Sequence, residues 1–352
     1  MLKMMKSLIL LQCVFLIILG CKSIDNTSTL KVENFDQTTT PAAPYYNADT
    51  GIWNCGTYSL NDSQVKKRIE NAKKLPELYD SSRLHKILLN PCVLTEVVSH
   101  RGDVDVAPQN TYPAIEAAVA KKAKFIEIDV FLNSNNEPIV LHDVYYVRPK
   151  PFIPAGYNQI AGPTKECFGK NFEVDDWDLM RTCDVSRAYE GHEGITVPLL
   201  EKILKDFGNS ESIFLIELKK SRNIPVLAKK VTSLLNQYVK DKKKQWVLSF
   251  EEDALDSISA SVKKVRVVSI ARRGDDLKQL IDLGIEKGYD VFALDLSSYS
   301  TDIVEYAADR GAGIAAYTLT KTTENQHQQA LEVGGSMFIT DRLSDFHKLL
   351  GK

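Results

Sequence analysis

The sequence predicts an α/β protein, a (β/α)₈ TIM barrel, on three observations. Eight short runs rich in β-branched and other apolar residues recur along the chain: "EVVSHRG", "KFIEIDV", "SIFLIELK", "QWVLSF", "VRVVSIA", "YDVFALDL", "GIAAYTLT" and "SMFITD". Segments of helical period lie between most of them, as in "IPVLAKKVTSLLNQYV", where Leu227, Val231, Leu234, Leu235 and Tyr238 recur at three- and four-residue steps. The runs are nearly continuous in apolar residues, the pattern of parallel strands covered by helices. Eight such units suggest a closed barrel, with a doubly wound open sheet as the alternative.

A further run, "PIVLHD", breaks the rhythm, because only "FLNSNNE" separates it from Val130. A parallel crossover needs a dozen or more residues, so this strand is expected to fold back as an antiparallel hairpin through "NSNN". His142 then returns to the level of Asp129, at the carboxyl end of the second barrel strand. Residues from about 145 to 195 are long and irregular for a barrel connection, which suggests an insertion at the carboxyl-end mouth.

Before the barrel, assigned to residues 95–352, the chain reads as three pieces. Residues 1–20 carry Lys3 and Lys6 ahead of the apolar run "LILLQCVFLIILG", the length of a signal-peptide core and short for a membrane span. Ile18, Leu19, Gly20 and Cys21 resemble the lipobox of bacterial lipoproteins, which implies a lipid anchor on Cys21 and an exported protein of the bacterial cell envelope. An ordinary signal peptide is the alternative. Residues 21–50 are rich in Thr, Asn, Asp and Pro and read as a flexible tether. Residues 51–94 read as an N-terminal extension, partly helical, packed on the barrel.

The 352 residues are 44% hydrophobic and 26% charged, ordinary for a globular protein with a sizeable core. A net charge of −2, or −4 once Lys3 and Lys6 leave with the signal, gives no electrostatic reason to expect a nucleic-acid partner. Cys55, Cys92, Cys167 and Cys183 remain beyond the signal and anchor, an even number suited to an oxidising compartment. Sequence neighbours suggest Cys55 with Cys92 and Cys167 with Cys183; unpaired buried thiols are the alternative.

Barrel enzymes carry their chemistry at the carboxyl ends of the strands. Here those ends offer His100 and Arg101, then Glu127 and Asp129, then His142 and Asp143, then Glu217 and Lys219. Glu127 and Asp129 are two apart and point to one side of their strand, as Glu217 and Lys219 do on theirs. Inside a barrel, three uncompensated carboxylates would each cost several kcal/mol, so a hard divalent cation, Mg²⁺ or Ca²⁺, is the economical partner. A structural network using Arg101 and Lys219 is the bland reading. "KDKKK" at 240–244 reads as a solvated face, and His85, His192, His327 and His347 receive no role.

In order and spacing, "HRG" with "PQNTYPAIEAA", then "FIEIDV", "PIVLHD", "VPLLEKIL", "IELK", "LSF" and "FITD" resemble the motifs of the glycerophosphodiester phosphodiesterase family. That family is a barrel related to the phosphatidylinositol-specific phospholipases C, and the likeness covers about residues 95–350. It implies a cation held by Glu127, Asp129 and Glu217, acid and base roles for His100 and His142, and phosphate binding by Arg101 and Lys219. The implied reaction has the neighbouring glycerol hydroxyl attack phosphorus, giving a cyclic phosphate that water opens. Its products are glycerol 3-phosphate and an alcohol.

The chain departs from the family pattern at several positions. Gln109 stands where Glu is usual, Lys122 where Gly is common before the second strand, and Tyr317 where Trp is frequent, retaining an aromatic wall for the substrate. "VYYVRPKPF", with Arg148 and Lys150, follows "HD" in place of an Arg-Thr-Thr pattern. Two other readings share the core: a phospholipase D-like enzyme on lysophospholipids or sphingolipids, and a surface binding protein without turnover.

Overall fold

The computed structural model describes residues 45–55, 59–75, 81–89, 91–93, 95–146, 165–186, 191–261, 266–271, 274–318 and 321–349. The expected signal segment, Cys21, most of the tether, and Arg148, Lys150 and "PFIPAGY" lie outside the described residues. Among the described residues, no helix is long and apolar enough to cross a membrane.

The chain enters through a small antiparallel sheet of β1 (Tyr45–Asn47), β2 (Ile52–Asn54) and β3 (Ser59–Asn61), followed by α1 (Asp62–Lys73) and α2 (Ser81–Leu89). Residues 45–50, expected to belong to the tether, are therefore structured. Asn47 makes the turn, accepting from the backbone N–H groups of Asp49 and Thr50, and Gly51 closes it at φ +67° with its N–H on the Asn47 carbonyl. Such side-chain-closed turns hide in polar sequence.

Cys55 and Cys92 are disulfide-bonded, tying this segment's two ends together. Its dock on the main body rests on Arg68, whose buried guanidinium donates to the Leu331 and Glu332 carbonyls at 2.6 and 2.7 Å. Those carbonyls end a helix, α10 (Glu324–Val333), and have no partner within it. Gly334, just after this helix, has left-handed backbone at φ +74°, and a Cβ there would lie 2.7 Å from the Arg68 guanidinium carbon, so glycine leaves the guanidinium its place.

The main sheet contains β4 (Glu96–His100), β5 (Phe125–Leu132), β6 (Pro138–Val140), β7 (Ile213–Leu218), β8 (Gln245–Ser249), β9 (Arg266–Ile270), β10 (Val291–Asp295), β11 (Gly313–Tyr317) and β12 (Met337–Thr340). Neighbours pair in parallel in the order β4-β5-β7-β8-β9-β10-β11-β12, and β12 pairs back to β4 with Met337 opposite Glu96. The curled parallel sheet and its helices make a TIM-barrel-like α/β fold. The intervening helices include α3 (Tyr112–Ala120), α5 (Leu200–Phe207), α6 (Ile224–Tyr238), α7 (Glu252–Ser261), α8 (Leu277–Glu286) and α9 (Thr301–Ala308), with α11 (Leu343–Leu349) last. β6 is the exception anticipated by its short connection, antiparallel to β5 with Val130 opposite Val140.

Alternation along the strands sorts the core into two layers. Val98, Phe125, Leu215, Trp246, Leu248, Ala293, Ala315, Met337 and Ile339 form one apolar cluster. Their strand neighbours Val97, Ile126, Ile128, Ile216, Val247, Phe292, Ile314 and Phe338 form the other, packed with helix residues such as Ile115, Leu227 and Ala307. The first layer is the inside of the curl. Continuing its parity toward the carboxyl ends brings in His100, Glu127, Asp129, Glu217, Tyr317 and Asp341.

Between β6 and α5, the described residues carry a separate cluster of Tyr146, Phe172, Met180 and Val197 with the short helix α4 (Trp177–Met180). Trp177 is buried in it, and Cys167 and Cys183 are disulfide-bonded.

Candidate active site

The site begins where β4 stops. Arg101 and Gly102 both adopt left-handed backbone, φ +59° and +87°. At Gly102 a Cβ would sit 2.7 Å from the backbone carbon of Ala114, so the "HRG" glycine lets the chain turn under α3. At Arg101 the turned backbone sends its N–H to Glu127 Oε2 at 3.1 Å, while the side chain places Nε 3.0 Å from Asp129 Oδ2. One residue thereby touches two of the three acids.

Each of Glu127, Asp129 and Glu217 offers an oxygen within 4.8 Å of the others, and all three residues are buried. Lys219 Nζ lies 3.2 Å from Asp129 Oδ1 and 2.7 Å from Glu217 Oε1. Asn110 grips Asp129 from the other side, donating Nδ2–H to Oδ2 at 2.7 Å and accepting the Asp129 N–H at 3.1 Å. The ion-pair network is real, but it is uneven. Asp129 meets Arg101 and Asn110 at Oδ2 and the Lys219 ammonium at Oδ1, whereas Glu127 Oε1 is buried and has no hydrogen-bond donor among the described residues.

Electrostatics follow from that unevenness. Burial, then the Asp129 and Glu217 charges, push Glu127 well above the ordinary carboxylate range. Burial and Asp129 push Glu217 up to about 7 against the pull of Lys219. Burial would also raise Asp129, but Arg101 and Lys219 outweigh it and hold Asp129 far down. Full ionisation of the trio would place three negative charges beside two cations, and one carboxylate oxygen is orphaned. An all-carboxylate donor set of this kind fits a hard divalent cation such as Mg²⁺ or Ca²⁺.

The histidines flank the acids. His100 Nδ1 is hydrogen-bonded to Asp341, just beyond β12, and its Nε2 lies 3.8 Å from Glu127 Oε2. Burial, then Arg101, lower the His100 pKa, with Asp341 opposing. His142 returns on the hairpin as expected: the Leu141 N–H donates to the Asp129 carbonyl at 2.9 Å. Asp143 Oδ1 lies 3.2 Å from His142 Nδ1. Burial lowers the His142 pKa against the opposing pull of Asp129 and Asp143.

His100, Arg101, Glu127, Asp129, His142, Glu217 and Lys219 therefore gather at one end of the barrel. Tyr317 engages another arc of it, donating its hydroxyl to the Ala271 carbonyl at 2.9 Å and standing edge-on to Phe250. Asp341 and Asn110 lie inside the motifs "FITD" and "PQNTYPAIEAA", yet the sequence reading gives neither a role. Strand parity could have found Asp341, two residues after Ile339 in "FITD". Gln109 accepts from Arg101 Nη1 at 2.8 Å, so it supports the rim without adding charge.

A parallel α/β barrel carrying a carboxylate trio, two cations and two histidines at its strand ends has the form of a barrel hydrolase. The glycerophosphoryl diester phosphodiesterase family model matches residues 100–344, and the chain belongs to that family. A Bacillus subtilis glycerophosphodiester phosphodiesterase is 24% identical over 72% of this chain and 85% of its own length. A mouse lysophospholipase D, GDPD1, is 27% identical over 44% of this chain and 45% of its own. The chain spans about half the length of most of the curated relatives it matches. Among solved structures, an Oleispira antarctica phosphodiesterase in complex with the product sn-glycerol-3-phosphate aligns with TM-score 0.59 and 18% identity, over 74% of this chain and 98% of that one.

Proposed function

We propose that this chain hydrolyses glycerophosphodiesters to glycerol 3-phosphate and an alcohol with the aid of one divalent cation, Mg²⁺ or Ca²⁺. The observation that carries the reading is the orphaned, buried oxygen of Glu127 beside Asp129 and Glu217, flanked by His100 and His142. Glu127, Asp129 and Glu217 would hold the cation, which when bound offsets the phosphodiester charge that otherwise repels a nucleophile.

The chain's own groups supply the rest. Arg101 and Lys219 would bind the phosphate oxygens, exchanging part of their contact with Asp129 for the substrate. His100 would accept the proton of the attacking hydroxyl. An Asp341 carboxylate can only accept a hydrogen bond, so it places the imidazole proton on Nδ1 and leaves Nε2 as the base. His142 would deliver a proton to the departing alkoxide. A hydroxyl on the glycerol carbon next to the ester is the natural nucleophile, which would favour glycerol esters over other alcohols. The cyclic phosphate so formed would be opened to glycerol 3-phosphate by water giving a proton to His142 while His100 returns one to the ring oxygen that leaves. Tyr317 would wall the substrate on its apolar side.

A second reading, turnover of lysophospholipids, is favoured by the exposed Tyr145, Phe168 and Val174 on the segment between β6 and α5. The lipobox-like "ILGC" would anchor the chain through Cys21 at the bacterial envelope. Release of glycerol 3-phosphate from glycerophosphocholine by the purified chain, with and without chelator and beside His100→Ala, tests the main reading. Chelator-sensitive release lost in the variant supports it. Release from lysophosphatidylcholine alone moves the substrate class to the second reading, and no release from either overturns both.

A further inference from the structure

Lys219 and His142 come from different strands, and neither strand by itself fixes the spacing between them. Two consecutive residues on the disulfide-bonded segment bridge exactly these positions in the fold, which the geometry points to as a clamp: we infer that Glu173 is a positioning residue for the active site. The inference rests on the proposed hydrolysis for its kinetic consequence.

The contacts are specific. The Phe172 N–H donates to the Val144 carbonyl at 2.8 Å, two residues after His142. The Glu173 carboxylate accepts from the Arg222 N–H at 2.9 Å and from the Ser221 hydroxyl, two residues after Lys219. Glu173 and Ser221 are both buried. Ser221 Oγ also receives the Leu132 N–H at 3.3 Å, at the end of the strand that carries Glu127 and Asp129. The Arg222 side chain closes the network on the β5–β6 turn, donating to the Asn133 and Ser134 carbonyls and to Asn136 Oδ1 at 2.8–3.1 Å.

Glu173 thus meets, through Ser221 and Arg222, the end of β5, the hairpin turn and the loop that follows Lys219. Its neighbour Phe172 holds the segment that follows His142. The segment itself is fixed at its base by the Cys167–Cys183 bond and by the Tyr146 hydroxyl on the Asp184 carbonyl at 2.6 Å. A buried carboxylate spent on a loop hydroxyl and a backbone N–H is costly unless the geometry it enforces is used. Its use is to hold the phosphate-binding lysine at a set distance from the histidine on the hairpin.

The test compares Glu173→Ala, Glu173→Gln and Ser221→Ala in the full chain. Glutamine keeps an oxygen that can accept both hydrogen bonds. Expected are a fall in kcat on glycerophosphocholine of about tenfold or more for Glu173→Ala, recovery to within about threefold for Glu173→Gln, and no added loss when Glu173→Ala is combined with Ser221→Ala. Thermal melting separates this from unfolding. Amide hydrogen exchange is the readout independent of turnover: in Glu173→Ala, residues 142–146 and 217–222 should both lose protection. Unchanged exchange at those segments, or an alanine variant within twofold of the parent in kcat, overturns the clamp. A parent chain inactive on every diester overturns the proposed function, and exchange then decides the clamp by itself.

Discussion

His100 and Asp341 are joined by a hydrogen bond from Nδ1 to a carboxylate oxygen, across the seam where β12 pairs with β4. The two residues are 241 positions apart in sequence and are brought together only by closure of the sheet. Asp341 holds the imidazole's orientation and tautomer, and the His100 hydrogen bond and charge keep the Asp341 pKa low although burial raises it. Asp341→Asn, which can offer an N–H to Nδ1 and so invert the tautomer, is expected to lower kcat by about 10² while the melting temperature stays near that of the parent. Steady-state kinetics beside a thermal melt checks it; an asparagine variant with full turnover would show that the bond is only structural.

Removing single acids should have opposite effects on the metal-free chain. Glu127 has an oxygen without a donor, so Glu127→Gln is expected to raise metal-free stability by about 1 kcal/mol. Asp129 is held by Arg101, Lys219 and Asn110, so Asp129→Ala should lower it by about 3–5 kcal/mol. Denaturant midpoints in chelator give both signs, and equal effects of the two substitutions would refute the uneven charge distribution.

Added Mg²⁺ or Ca²⁺ should stabilise the parent by about 2.7 kcal/mol at a hundredfold excess over the dissociation constant. Glu127→Gln should abolish most of that gain despite its greater metal-free stability. A parent melting curve indifferent to both cations would remove the cation from the site.

Much of this was legible in the sequence because it is local. Each barrel strand is a continuous apolar run, and the hairpin is forced by the few residues between Val130 and Pro138. Glu127, Asp129, Glu217 and Lys219 follow from strand parity, and "HRG" marks the turn that the left-handed Arg101 and Gly102 make. What escaped is what closure creates. Asp341 meets His100 only when the last strand reaches the first, and Glu173 meets Ser221 only when a polar, irregular segment folds over. Asn110 was hidden differently: its left-handed backbone, φ +58°, turns a side chain beside a helix cap toward Asp129. Asn47 was hidden too, in a turn closed by its own side-chain oxygen.

Lys122 explains a departure from the family pattern in physical terms. It follows α3 at φ +56°, the left-handed position at a helix end that glycine occupies without a Cβ penalty, and it is exposed. Lys122→Gly is expected to stabilise the chain by about 1 kcal/mol with kcat unchanged. Chemical denaturation resolves a difference of that size, and a glycine variant that is less stable would mean that the lysine side chain contributes more than the backbone strain it imposes.

His327 should make stability depend on pH. It is buried with its ring edge-on to both Phe338 and Phe346, and its Nε2 lies 2.8 Å from Thr340 Oγ1. Burial, with Arg342 adding to it, lowers its pKa from 6.5 to about 4. The folded pKa lies below the unfolded one, so the unfolded chain binds the extra proton first as pH falls. Its stabilising contribution is whole above pH 6.5 and is lost toward pH 4, by about 2.5 kcal/mol at pH 4.5. Urea unfolding at pH 7.5 and 4.5 should show the parent losing that much more than His327→Gln, which has no proton to gain. The Thr340 hydroxyl that faces His327 also accepts the Arg342 N–H at 3.0 Å, so a protonated His327 would have to share that oxygen as a second donor beside the turn that carries Asp341. Parallel pH profiles for the parent and the variant would place the acid sensitivity elsewhere, among the carboxylates of the rim.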